Sequence, residues 1–318
     1  MIRTENLGGS LVVDVGHKGP GEALEISPGR YGLWLIDGQV QWKPKGVPEE
    51  DLMPQDETYD LYGPGTLNFS QASHFMLVES SDELGFNARA PLYRTLMEAR
   101  NREVGRALAE GLKVDPRQIW IDIGTGTGAM VQALQELDSG PGWIIGVDRA
   151  LRMIDEAWRR GSSPSPAWFV AHDLLTIRWP HQVFDGATAL LVLHLVDDID
   201  QLLGRLYQSL KPGGVFAYAA SSDANPFVQM IMHQVDHPGN FFKRGQGKIR
   251  KSVTEAGFEI IRQETYQDRI TLDNPQAMVE LISSIGGPAS RGIRRDIVPP
   301  TSIDRVFDLV WAQKPAGD

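Results

Sequence analysis

The chain has no cysteine among its 318 residues. That excludes disulfides, a thiolate nucleophile and a thiolate metal site. No stretch approaches the roughly 18 uninterrupted apolar residues of a spanning helix. Residues 1–10 lack both an apolar core and a basic start, so no signal peptide is expected. The expectation is a soluble, cytoplasmic protein with no membrane partner. Basic charge is also scarce: 31 Lys and Arg face 41 Asp and Glu, for a net charge of −10. An acidic chain is a poor partner for polyanions, which argues against DNA or RNA. The imbalance is uneven. Residues 1–90 hold 6 basic against 14 acidic side chains, and residues 91–318 hold 25 against 27. The split predicts two domains, 1–90 and 91–318, joined at Ala90-Pro91. Basic clusters at 243–251 and 291–295 read as solvated loop charge or as contacts for an acidic substrate.

What the chain does have is concentrated in WIDIGTGTG, residues 120–128. An apolar, β-branched run ends in Gly124, Gly126 and Gly128, and a helical pattern follows at once. This predicts a buried strand, a tight turn and a helix packed back on the strand. Glycine permits positive φ and leaves no side chain between backbone and ligand. A helix N-terminus adds unpaired N–H groups and the positive end of a dipole. Such a corner suits a ligand that lies flat on main chain and carries a carboxylate or phosphate.

Residues 1–90 read as short strands between Gly, Pro and acidic turns. Strands are expected at 11–13, 31–36, 39–43, 67–69 and 75–79, with a hairpin around Asp37-Gly38 and a polar loop over 47–60. This spacing predicts a small all-β barrel or jelly roll. The segments YGLWLIDGQVQW, LYGPGTL and FMLVES resemble the β-roll of cyclic-nucleotide-binding and cupin-like domains. The phosphate-gripping segment of a cyclic-nucleotide site is missing between the last two strands, and His17 and His74 are too isolated for a cupin metal site. The region reads as a structural or interaction module.

Beyond the junction, apolar spacing predicts one long helix over 91–112. It either lines a ligand pocket, packs two subunits into a homodimer, or covers one face of a sheet. Strands are then expected at 119–123, 143–147, 168–171, 184–193, 215–220, 258–264 and 306–311. Helices are expected at 150–160, 198–210 and 249–256, and a turn at 211–214. The alternation demands an α/β fold: a doubly wound, seven-stranded, mostly parallel sheet with helices on both faces.

Asp148 lies 20 residues past Gly128, at the end of the second strand of this sheet. A carboxylate there can accept hydrogen bonds from ribose hydroxyls. Asp173 ends the third strand, where a carboxylate can accept from an adenine amino group. Both fall beside the glycine turn at the carboxyl edge, where open α/β sheets bind ligands. The set points to an adenosine-containing ligand.

On IDIGTGTG, IIGVDRA, HDLL, FDGATALLVLHLVDD, LKPGG and EAGFEII, taken in order, residues 91–318 resemble class I S-adenosylmethionine-dependent methyltransferases. The resemblance implies S-adenosylmethionine as cofactor and S-adenosylhomocysteine as product. Gly124, Thr125, Gly126 and Gly128 would form the glycine loop along the methionine part. Asp122 would steady that loop. Asp148 would bind the ribose with Arg149 near the adenine, and Asp173 and Leu174 would contact the adenine. Residues 190–193, Leu191 among them, would floor the methyl. A nicotinamide enzyme would show Gly-x-Gly-x-x-Gly instead of Gly-x-Gly-x-Gly and would leave Asp173 and LKPGG unused.

The acceptor is less legible. Methyl transfer is an in-line displacement, in which alignment supplies much of the rate and a general base adds less. His194, just past the fourth strand, is the candidate base, or else a histidine packed under a loop. Tyr93, His233 and His237 are candidates for lining the substrate. The i, i+4 spacing of the two histidines would suit a metal pair, but Pro238-Gly239 follows at once and no third ligand is evident, so no metal is expected. Tyr93, Tyr218 and Phe227 offer aromatic faces to a sulfonium or pack in the core or on the surface. Residues 265–304 are long for a link between the last two strands and read as a substrate cap or a peripheral decoration. The Asn/Asp-Pro-Pro-Tyr type motif of base-amino methyltransferases is absent, and LVLHLVD stands in its place. The expected function is methyl transfer to O, N or C of a small molecule. The alternatives are a non-catalytic cofactor-binding scaffold or sensor, and a protein or RNA methyltransferase.

Overall fold

The computed structural model describes residues 13–44, 51–53, 57–79, 86–159, 166–234, 245–272, 277, 281 and 301–316. His237, the loop at 161–165, the basic cluster at 291–295 and most of the helix expected over 275–285 lie outside the described residues. The strands form two sheets.

The first sheet contains β1 (Val13–Lys18), β2 (Ala23–Asp37), β3 (Val40–Pro44), β4 (Asp51–Met53), β5 (Glu57–Phe69) and β6 (Ser73–Glu79). Their order is β1-β6-β2-β5-β3-β4, with every neighbour antiparallel. Alternate residues Leu33 and Leu35, Val40 and Trp42, and Leu67 and Phe69 build its core, the period of two that a half-buried strand requires. Two expectations are corrected here. The polar stretch 47–60 is not all loop: it supplies β4 and the start of β5. Nor do β2 and β3 close a hairpin at Asp37-Gly38 among the described residues. Each pairs with β5, which lies between them. The turn is tied instead to the start of β6, where Ser73 Oγ accepts from Gln39 N at 3.1 Å.

The second sheet is built from β7 (Ile119–Ile123), β8 (Trp143–Asp148), β9 (Ala167–Ala171), β10 (Phe184–Leu190), β11 (Leu210–Ser221), β12 (Glu259–Leu272) and β13 (Thr301–Gln313). The order is β12-β13-β11-β10-β7-β8-β9. The pairs from β9 through β11 are parallel, and β13 runs antiparallel to both β11 and β12. Both faces are covered. Along β11, Phe216, Tyr218 and Ala220 enter one core with Leu202 and Leu206 of α5 (Ile199–Ser209). Ala217 and Ala219 enter the other, with Val104 and Leu108 of α2 (Glu98–Glu110). This double burial makes the central strands read as continuous apolar runs.

The helix expected over 91–112 is two: α1 (Phe86–Leu96) and α2, broken at Met97. Pro91, expected as the first helical residue, lies inside α1. The helix starts earlier because Phe86 and Ala90 pack on Ala150 and on Met153 of α4 (Leu151–Trp158). Residues 211–214 are not a turn but an irregular part of β11. There Gly213 N donates to Lys314 O at 3.0 Å and Lys314 N to Gly214 O at 2.9 Å. α6 (Pro226–Gln234), which the sequence reading did not anticipate, follows β11; α7 (Gln246–Glu255) precedes β12. Finally, β12 and β13 pair out to Leu272 and Thr301. The excursion expected over 265–304 therefore narrows to 273–300. Its described Leu281 packs with Met97, Phe227, Ile231 and Ile270.

Candidate active site

The apolar run of β7 delivers the chain to the carboxyl edge of the sheet. There α3 (Ala129–Gln135) begins after a loop whose glycines all have positive φ. At Gly126, φ is +54° and no heavy atom lies within 4 Å of where a Cβ would sit. Bare backbone is thus exposed to a cavity of about 820 Å³, counting the space at its open mouth. Gly124 also lines the cavity, and a Cβ there would strike Val192. Gly128 does not line it. Its Cβ position abuts Ala157 and Phe169, so its bareness serves helix packing.

Asp148 closes β8 and fastens the loop. Its Oδ2 accepts from Gly126 N and its Oδ1 from Ala150 N, both at 2.9 Å. Asp173 follows β9, and its Oδ1 accepts from Leu175 N at 2.7 Å. Among the described residues its Oδ2 takes no hydrogen bond. Asp148, Arg149, Asp173 and Leu174 line the cavity with Gly124 and Gly126, from three strand ends, whereas Asp122, Thr125 and Gly128 of the predicted set do not.

Asp122 lies beneath the loop and is fully buried. Its Oδ1 accepts from Thr188 Oγ1 at 2.7 Å, and Oδ2 has no hydrogen-bond partner. Burial pushes its carboxyl up to about 7. Nearby Thr125 and Thr188 favour the carboxylate, and the charge of Asp148 opposes it. The Thr125 hydroxyl is close enough to act on Asp122 without closing a hydrogen bond.

Leu190, Leu191 and Val192 line the cavity after β10. Leu191 has φ +56°, a left-handed conformation that is an outlier for a bulky residue. His194 sits in the single turn Leu193–Leu195. It does not line the first cavity but a second, of about 570 Å³, which shares Phe86, Tyr93, Leu191 and Leu195 with the first. Burial lowers the His194 imidazole to about 4, so it is neutral at pH 7. Tyr93 borders both cavities and Phe227 the second. Tyr218 is core, stacked on Phe216 at 5.4 Å. The backbone at position 233 lies in α6, but its side chain is outside the described residues. No group of three or more His, Asp or Glu that could hold a metal occurs among the described residues. No helix among them is long and apolar enough to cross a membrane.

The second cavity holds residues that sequence reasoning missed. Arg305 of β13 is fully buried and pairs through Nε and Nη2 with Asp268 of β12. Its Nη1 donates to Asn101 Oδ1 at 3.1 Å, and Asn101 Nδ2 donates to Tyr93 Oη at 2.7 Å. Asn225 caps α6 through Phe227 N and ties it to β13 through Val306 O.

An open, doubly wound sheet with a glycine loop after β7 and acids at the tips of β8 and β9 defines an α/β protein of Rossmann-like fold. Residues 121–218 match the family model described as "Methyltransferase domain". The chain accordingly carries, over residues 121–218, a region similar to methyltransferase domains, on a Rossmann-like methyltransferase fold. It is 32% identical over 110 residues to the demethylmenaquinone methyltransferase of Thermus thermophilus, covering 34% of this chain and 49% of that protein. It is 31% identical over 183 residues to the enzyme of the same name from Symbiobacterium thermophilum, covering 52% and 66%. The chain thus spans about half the length of the Thermus relative. Among solved structures, the methyltransferase in complex with the Haloferax volcanii Trm112 methyltransferase activator superposes with a TM-score of 0.53. It is 19% identical, over 72% of this chain and 97% of that one. That likeness supports the fold.

Proposed function

We propose that this protein transfers a methyl group from S-adenosylmethionine to a small-molecule acceptor. One observation carries the reading: bare backbone at Gly126 and the carboxylates of Asp148 and Asp173 converge on one cavity. The residues fit the cofactor. The open Cβ position of Gly126 is a cradle that a side chain would fill, and Asp148 and Asp173 offer carboxylates in the same wall. In this reading Gly124 and Gly126 hold the methionine part, with Asp122 and Thr125 beneath. Asp148 binds the ribose and Arg149, Asp173 and Leu174 the adenine. Gly128 acts only through helix packing. When bound, S-adenosylmethionine supplies an electrophilic methyl on a sulfonium. Relatives named for demethylmenaquinone and for carbon 24 of a sterol agree with a small-molecule acceptor.

His194 is the candidate base, in the neutral form a base requires. Residues 1–90 form an accessory domain that supports a homodimer or roofs the substrate, and 273–300 serve as a cap. Calorimetric titration with S-adenosylhomocysteine tests the reading; no binding at millimolar ligand ends it. A second reading, a cofactor-binding scaffold without turnover, draws on the weak basicity that burial gives His194. A screen of small acceptors with methyl-labelled cofactor separates the two.

A further inference from the structure

We propose that the second cavity is the acceptor site and that it selects an uncharged, largely apolar molecule bearing an oxygen. This rests on the methyl-transfer reading of the first cavity. The two cavities meet at Phe86, Tyr93, Leu191 and Leu195, so a molecule in the second lies against whatever fills the first.

The linings differ in charge. The first cavity carries Asp148, Asp173 and Asp197 beside a single Arg149, a net acidic wall among the described residues. Among the described residues the second has no carboxylate in its wall. Met97, Phe227, Val228 and Phe307 supply apolar surface, and burial keeps His194 neutral. Its one formal charge among the described residues is Arg305, already neutralised by a two-pronged pair with Asp268. An ammonium would therefore find a guanidinium and no acid. A phosphate would bring a charge that a neutralised guanidinium cannot balance, and burying such a charge is costly.

Hydrogen-bond capacity narrows the class further. Asn225 has no donor left: its amide nitrogen donates to Ser221 Oγ and Val306 O, while its oxygen accepts from Phe227 N. Arg305 can use only Asn101 Oδ1, so the Asn101 amide is oriented and its nitrogen faces Tyr93. That chain holds the Tyr93 ring at the partition between the cavities. A guanidinium has five N–H donors. Three of those on Arg305 are engaged among the described residues, which leaves two without an acceptor there, on a residue that borders the cavity. Donors without acceptors call for an oxygen on the ligand. A phenol, enol or carbonyl compound on an apolar frame meets all of these demands.

The probes are 2-naphthol and 2-naphthyl phosphate, titrated with and without saturating S-adenosylhomocysteine. The expected result is that 2-naphthol binds at least tenfold more tightly than its phosphate. Val228→Trp, which fills the cavity, and Val228→Glu, which charges it, should each weaken 2-naphthol at least tenfold. Both should leave the affinity for S-adenosylhomocysteine within twofold, which also reports that the variant is folded. Equal or tighter binding of the phosphate, no binding of 2-naphthol at millimolar concentration, or indifference to both variants overturns the proposal. Loss of S-adenosylhomocysteine binding by the unmodified protein would instead remove the methyl-transfer reading, and 2-naphthol binding would still decide the class of ligand.

Discussion

Asp148 Oδ2 accepts a hydrogen bond from the main-chain N–H of Gly126 at 2.9 Å. In the proposed reading, the acid that faces the ligand is therefore also the clasp of the loop that cradles it. Asp148→Ala removes both roles at once. A charged hydrogen bond contributes about 1.5–3 kcal/mol, so calorimetry should show S-adenosylhomocysteine affinity falling tenfold or more. Asp148→Asn can still accept from one of the two N–H groups, and its loss should be smaller. Unchanged affinity in Asp148→Ala would count against the site.

Two glycines of one loop should respond differently to alanine. At Gly126 the added methyl meets open space, so the protein should fold with a penalty of about 1–2 kcal/mol from the left-handed backbone. The methyl intrudes on the cradle, and ligand affinity should drop. At Gly124 the methyl strikes Val192, so stability should fall further. Denaturant midpoints and ligand titration on the two variants check the contrast.

Two buried groups pull stability in opposite directions with pH. Asp122 is raised from 3.8 to about 7 by burial. Between those values the unfolded chain ionises while the native one holds its proton, so stability falls as pH rises towards 7. His194 is lowered from 6.5 to about 4. Its native form refuses the proton that the unfolded chain takes, so stability is lost as pH falls from 6.5 towards 4. The two effects oppose each other over the shared range. Asp122→Asn should expose a stability that rises with pH there, and His194→Gln one that falls. Thermal melts across pH 4 to 8 read out both slopes.

Removing Arg305 should unfasten β13 from β12 and α2. Breaking a buried pair costs about 3–5 kcal/mol. Asp268 keeps some contact with water, so about 3 kcal/mol is expected for Arg305→Met. A melting temperature within a degree or two of the unmodified protein would contradict the pair's structural weight.

The parallel core was legible because its markers are local. Ile119 to Ile123 run apolar into glycine, and Asp148 and Asp173 sit where their strands stop. Residues brought together by tertiary contact were not. Arg305 and Asn101 meet across 204 positions, and nothing around either marks it. Pro91 satisfied the preference for a first helical turn, but burial of Phe86 and Ala90 against Ala150 and Met153 moved the start upstream. The missed α6 did leave a signal: Asn225 before Pro226 is a cap followed by a first-turn proline. The short β4 was hidden because it is an edge strand of its sheet, where polar residues are tolerated.

Leu191 is held at φ +56° in the wall that both cavities share. A glycine there would relax the main chain and at the same time open the doorway between the two chambers. The protein has kept a bulky sill at the cost of a comfortable backbone. Anyone wishing to admit larger guests, or to let one compound straddle both rooms, would begin by lowering that sill.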